Sequence, residues 1–250
     1  MTFLIWKREM TLFKKNAMGT IIPGIMLPLI MLFAIGKLLG GIVPFKSSVD
    51  YLTYVSSAIV VITIMTTSTF VTGFDHLSDF QFTKNVEELL TSPANILQIV
   101  LGKALGITSK SLSGSLVIYA IATLCGAKII NFKPSYLLGF SVLILAGILY
   151  SLFTIICALV APNHDSFVGI LNLFVMPQLF FSETFFNIEI LGEYKWVLNI
   201  SPLYHLVRAF RDSILFSIDK WTFISIGVVV IVILLFLSVA KKLIKKRLIN

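Results

Sequence analysis

Charged side chains are scarce in this chain. Asp, Glu, Lys and Arg make up 13% of its 250 residues, against 57% hydrophobic ones. A water-exposed domain of this length needs a far more polar surface, so a soluble globule is excluded. Cysteine is nearly absent. Cys125 and Cys157 are the only two, each inside an apolar stretch, and both are expected as small buried thiols rather than as a disulfide or a metal site. His76, His164 and His205 lie far apart without ligand spacing, and neither a metal site nor a catalytic triad can be assembled from the sequence. There is no Gly-rich phosphate loop ending in Gly-Lys-Ser/Thr, which excludes nucleotide hydrolysis of that kind on this chain. No secretory cleavage signature is evident, and no cleaved leader is expected.

What is present are long apolar runs. Residues 222–240 are unbroken apolar and small side chains, followed at once by Lys241, Lys242, Lys245, Lys246 and Arg247. At ~1.5 Å per residue such a helix crosses most of a ~30 Å hydrocarbon layer, and the basic cluster anchors it on the cytoplasmic side. The formal charge of +8 is placed mostly beside these runs, so anionic lipid headgroups, not nucleic acid, are the expected partner.

The pattern predicts an all-α integral membrane protein, one domain over residues 1–250, with six crossings at 20–43, 52–74, 96–124, 136–161, 166–182 and 221–240. Residues 1–16 carry Phe3, Trp6, Met10 and Phe13 on one helical stripe, with Lys7, Arg8, Lys14 and Lys15 around it, and read as an interfacial helix. Pro23 and Pro28 lie within the first crossing and introduce irregularity. The second is dense in Ser and Thr, which either line a polar route or mediate close helix packing. Residues 82–91 form a short amphipathic helix outside the bilayer, stopped by Pro93. Gly102 and Gly106 give a small-residue spacing early in the third crossing, and Lys103 and Lys110 are expected to snorkel to the headgroups. Residues 184–217 are too apolar for an exposed loop and too interrupted for a span. Short re-entrant or interface-bound helices on the outer side reconcile the two. Six crossings put both termini on one side. Twelve of the twenty basic residues fall there, which orients both ends to the cytoplasm of the inner membrane.

Two segments carry a family resemblance. Phe82-Thr83-Lys84-Asn85-Val86-Glu87-Glu88-Leu89-Leu90-Thr91-Ser92-Pro93, followed by Gly102-Lys103, resembles the cytoplasmic signature of ABC-2 type transporter permeases. Asn199-Ile200-Ser201-Pro202-Leu203-Tyr204-His205-Leu206-Val207-Arg208-Ala209-Phe210-Arg211 resembles the segment before that family's last crossing, with Ser201 where asparagine is more usual. The similarity in order and spacing covers nearly the whole chain.

The resemblance implies a permease subunit of an ATP-driven exporter that moves a drug, a lipid or a lipid-linked glycan. Such a subunit is not itself an enzyme and binds no cofactor, ATP and magnesium belonging to a partner. The implied partners are two copies of a cytoplasmic ABC ATP-binding subunit, a second copy of this permease or a related one, and membrane lipids. The helix over residues 82–91 is then the coupling helix, with Phe82, Lys84, Val86, Glu87, Glu88, Leu89 and Leu90 facing the ATPase. Phe174, Phe180, Phe181, Phe185 and Phe186 offer a gate or substrate surface, or else an aromatic packing core. Glu183 abuts them and needs water or a charge partner, for which Arg208 and Arg211 are the candidates. The alternative function is a membrane scaffold or regulatory interaction protein that uses the amphipathic helix without transport.

Overall fold

The computed structural model describes residues 1–41, 48–81, 95–129, 135–185 and 196–249. The described residues contain helices and no strand, arranged as a membrane bundle. The elements are α1 (Thr2–Lys15), α2 (Ala17–Met31), α3 (Tyr51–Thr66), α4 (Thr72–Gln81), α5 (Ile96–Leu124), α6 (Tyr136–Val160), α7 (His164–Phe180), α8 (Pro202–Ile214) and α9 (Lys220–Ile249). Widened π-helical turns extend α2 over Leu32–Leu38 and join α3 to α4 over Thr67–Val71, so α3 and α4 form one continuous rod.

Five helical stretches are long and apolar enough to cross a membrane: Ala17–Leu38, Tyr51–Ser78, Ile96–Leu124, Tyr136–Val160 and Lys220–Lys246. Helix α7 has 17 residues. The rod stays helical past residue 74, to Gln81.

Short polar caps set the helix ends. Asp50 accepts the Thr53 amide at 3.2 Å to start α3, and Asn95 with Gln98 forms a reciprocal capping box on α5. Asn163 accepts the Ser166 amide to start α7, and Ser201 accepts that of Tyr204 ahead of Pro202 on α8. Helix α5 ends in a Schellman turn. The Ala127 amide returns to Ala122 and the Gly126 amide to Thr123, with Gly126 at φ +102°, a conformation glycine adopts without strain.

Helix α3 is the buried centre, and every residue from Thr53 to Thr69 along the rod is withdrawn from the surface. Its hydroxyls bond inward, mostly to carbonyls three or four residues back. Neighbours close the remaining sides. Thr67 donates to the Gly24 carbonyl, Ser115 to that of Val60 and Thr154 to that of Ser68. Within this chain the Ser/Thr-rich stretch is therefore helix-packing surface, because hydroxyls bonded to backbone allow the close approach that small side chains permit. Helices α2 and α9 flank the bundle, presenting Met18, Ile22, Ile30, Ile231, Leu234 and Leu235 outward as a lipid-facing surface.

Candidate functional site

Functional chemistry concentrates at the two ends of the bundle. At one end, α1 lies against the first half of α5. The fit depends on Gly102 and Gly106: a Cβ on the first would sit 2.7 Å from Ile5 Cβ, and on the second 2.7 Å from Glu9 Cβ. The face of α1 turned inward is Ile5 and Glu9, while Phe3 and Leu4 are exposed and Trp6 reaches Ser109 Oγ at 3.0 Å. The face packed against α5 is therefore a different one from the stripe of Phe3, Trp6, Met10 and Phe13.

Glu9 meets the two lysines of α5. Lys110 Nζ donates to its Oε2 at 2.7 Å, and Lys103 Nζ stands 3.8 Å from Oε1. Lys103 also lies 3.5 Å from Nδ1 of His76 on α4. All three charged side chains are at most 6% exposed. The lysines do not snorkel, because a buried carboxylate supplies the counter-charge that the headgroups would otherwise provide. Burial opposes ionisation of Glu9, but the charges of His76, Lys110 and Lys103 and the Lys110 hydrogen bond outweigh it and hold the carboxyl below its usual range.

At the opposite end Arg211 of α8 is buried and ties three segments together. Its Nε donates to Ser57 Oγ at 3.2 Å, and its Nη2 reaches the Tyr54 carbonyl at 3.4 Å and the Glu183 carbonyl at 3.2 Å. Tyr54 in turn donates its hydroxyl to Glu183 Oε1 at 3.2 Å, and Tyr51 donates to the Phe185 carbonyl. Glu183 has φ +55°, the left-handed region, and is alone among the described non-glycine residues in doing so. A non-glycine residue held there stores strain of about 1 kcal/mol or more, which these bonds offset. Arg211 therefore meets Glu183 through the backbone carbonyl. Arg208 turns elsewhere, to the Tyr204 hydroxyl at 3.1 Å and to Asp212 and Asp219, each at 3.8 Å.

The phenylalanines divide. Phe174 stacks on Phe153 at 4.2 Å, Phe180 and Phe181 are exposed, and Phe174 and Phe185 are partly buried against the core. Phe186 and the segment Phe82, Lys84, Val86, Glu87, Glu88, Leu89 and Leu90 lie outside the described residues. An apolar cavity of about 320 Å³ opens between α5, α6 and α8, lined by Tyr119, Tyr136, Phe140, Leu143, Phe210 and Ile214 among others. Both tyrosine hydroxyls at its rim donate to the Ile129 carbonyl. Among the described residues no cluster of His, Cys, Asp or Glu is arranged to hold a metal ion.

Residues 2–215 match the family model for the ABC-2 type transporter. The chain belongs to that family. It is similar to nodulation protein J of Rhizobium meliloti (strain 1021), 30% identical over 215 residues that cover 85% of this chain and 80% of the relative. The same protein of Rhizobium leguminosarum bv. viciae is 26% identical over 246 residues, 98% and 93% of the two chains. The inner membrane transport permease YadH of Escherichia coli (strain K12) is 20% identical over 247 residues, 97% and 93%. This is therefore a multi-pass inner-membrane permease subunit of an ABC transporter, a non-catalytic membrane component that works with a partner ATP-binding subunit.

The sequence alone points to Glu183, Arg208 and Arg211, and to Ser57 only as one of the hydroxyls of the second crossing, but not to Glu9 or Tyr54. Two lysines within an apolar span were the available signal for Glu9, since such cations require a nearby counter-charge.

Proposed function

We propose that this permease exports an amphiphile (a drug, a lipid or a lipid-linked glycan) as a homodimer of six-crossing subunits driven by two copies of an ATP-binding subunit. Both termini face the cytoplasm, residues 184–217 form short outer helices, and residues 82–91 are the coupling helix. ATP and magnesium bind the partner. ATP binding draws the two ATPases together, the coupling helix receives that motion, and the route between the two permeases changes its accessibility; hydrolysis resets it.

One observation carries this reading. The α3–α4 rod runs from the Arg211 cluster, buried over Thr53–Thr69, on to Gln81, immediately before residues 82–91, and α7 meets it near both ends. His164, at the start of α7, stacks on Phe74 at 4.8 Å, whereas Glu183, just past its end, meets Tyr54. Phe74 and Tyr54 are separated by about 30 Å of helix at ~1.5 Å per residue, one hydrocarbon thickness. This supports α7 as a sixth crossing and the rod as the lever that carries motion between the two ends. Glu87 and Glu88, with Lys84, are the polar contacts offered to the ATPase. The exposed Phe180 and Phe181 are the gate or substrate surface, together with Glu183, Phe185 and Phe186.

The test is ATP turnover by an ABC ATP-binding subunit that co-purifies with the permease, reconstituted with it in lipid. Permease-dependent turnover that falls for Glu87→Ala plus Glu88→Ala, with insertion unchanged, supports coupling. Turnover equal to that of the ATPase alone for both native and variant permease, despite correct insertion, moves the function to a membrane scaffold.

A further inference from the structure

The cluster of Glu9, Lys103, Lys110 and His76 is built from three elements that the chain brings together from far apart. Glu9 comes from α1, the lysines from α5, and His76 from α4, five residues before that helix ends at Gln81. Lys103 is the bridge, 3.8 Å from the carboxylate and 3.5 Å from the imidazole. Stability alone does not account for this design. A buried ion pair is often no more stabilising than well-packed apolar side chains of the same volume, while its directional bonds fix one arrangement over its alternatives. Membrane anchoring does not account for it either, because Phe3, Leu4 and Leu12 on the outward side of α1 are already exposed for that purpose. What the ion cluster adds is register. Gly102 and Gly106 let α1 seat against α5, and Glu9 fixes which way it is turned and links it through Lys103 to the base of α4.

We infer that Glu9 is a positioning residue for energy coupling: its clasp on Lys103 and Lys110 makes α1 and α4 respond as one body to the partner ATPase. The inference rests on the coupling reading of residues 82–91. Motion received after Gln81 enters α4 at the turn that carries His76 and passes through Lys103 and Glu9 into α1. The exposed cations Lys7, Arg8, Lys14 and Lys15 of α1 then move with it against the membrane surface or the partner.

The experiment compares the native complex with Glu9→Gln, which keeps the side chain's shape, and with Glu9→Asp, which keeps the charge. The permease and its ATPase are reconstituted in lipid nanodiscs and followed by hydrogen exchange of α1 and α4, without nucleotide and with the ATPase trapped by ATP and vanadate. In the native complex, protection of both helices changes together on trapping. In Glu9→Gln the change stays in α4, and permease-dependent ATP turnover falls at least about fivefold while the ATPase still co-purifies; Glu9→Asp retains most of both. If Glu9→Gln does not insert, Glu9→Met plus Lys103→Met plus Lys110→Met removes the cluster without stranding a charge and gives the same readouts. Coupled exchange that persists in the variant, or α1 exchange that ignores trapping in the native complex, overturns the inference. When either result accompanies lost turnover in Glu87→Ala plus Glu88→Ala, the coupling reading survives it. Unchanged turnover in that double variant instead removes the coupling reading itself.

Discussion

Arg211 lies over Tyr54, its guanidinium carbon 3.6 Å from the centre of the ring. The stacking leaves the edge of the guanidinium free to donate to Ser57, to the Tyr54 carbonyl and to the Glu183 carbonyl, so one side chain joins α3, α8 and the turn after α7. A planar cation with several fixed donors can do this, and a lysine ammonium cannot. Arg211→Lys is therefore expected to lower the stability of the bundle by about 2 kcal/mol, and Arg211→Ala by about 3 kcal/mol, since both leave buried acceptors without a donor. The midpoint of unfolding in SDS, measured for the purified permease, checks both values. A midpoint for Arg211→Lys equal to the native one would show that only charge matters here.

The seat of α1 gives a contrast among glycines. Alanine at Gly102 and Gly106 would press a methyl group to 2.7 Å from Ile5 and Glu9, so the double substitution should lift α1 and expose the backbone at Lys7 and Arg8 to trypsin. Gly169 and Gly227 have nothing within 4 Å of the added methyl. Alanine there should be neutral or stabilise by about 0.5–1 kcal/mol through the helical preference. Limited proteolysis and a thermal unfolding scan separate the two pairs. Equal cleavage in all variants would mean that α1 is not held by that contact.

Glu9 makes stability depend on acidity in a defined direction. Its folded-state pKa lies below the ordinary 4.5, so the ionised cluster contributes in full above that value. The contribution disappears as the pH falls through the lower folded-state pKa. The unfolding temperature of the native permease should exceed that of Glu9→Gln by a constant margin at neutral pH. The margin should shrink below about pH 4.5, where a protonated Glu9 resembles glutamine. A margin that grows on acidification contradicts the assignment.

How much of this was legible from residues follows from which forces decide each feature. Long apolar runs must become helices, because the hydrocarbon offers the backbone no partner, and the run at 222–240 was therefore readable without any structure. The face of α1 was not. Phe3, Trp6, Met10 and Phe13 make the more apolar stripe, but in a bilayer apolar side chains are as well placed facing lipid as facing protein, so hydrophobicity does not choose the buried side. The choice fell to Gly102 and Gly106, which admit the helix, and to two lysines that need Glu9. The hydroxyls of α3 were ambiguous for a related reason: Ser and Thr suit a wet route or a dry contact equally. Only the neighbouring Gly24, Ser115 and Thr154 decide between them. The role of residues 82–91 came from resemblance to a family motif, since an amphipathic helix alone does not say what it touches.

The aromatic group after α6 separates packing from surface and gives the last test. Phe174 is stacked on Phe153 at 4.2 Å, and Phe153 also approaches Phe236 of α9 at 6.0 Å, so this ring joins three helices. Phe174→Ala should cost about 2 kcal/mol of stability, from the lost ring contacts and the void left behind. Phe180 and Phe181 are exposed to 61% and 45%, and in a bilayer those rings lose nothing by being shortened unless they meet a partner or a substrate. Phe180→Ala plus Phe181→Ala should leave the unfolding midpoint within about 0.5 kcal/mol of native. If these rings form the gate, the same variant should still alter permease-dependent ATP turnover. Turnover unchanged at native stability would reduce Phe180 and Phe181 to lipid-facing anchors. A loss of stability as large as that for Phe174 would show instead that a second permease copy covers them, because only burial against protein gives a ring that much to lose.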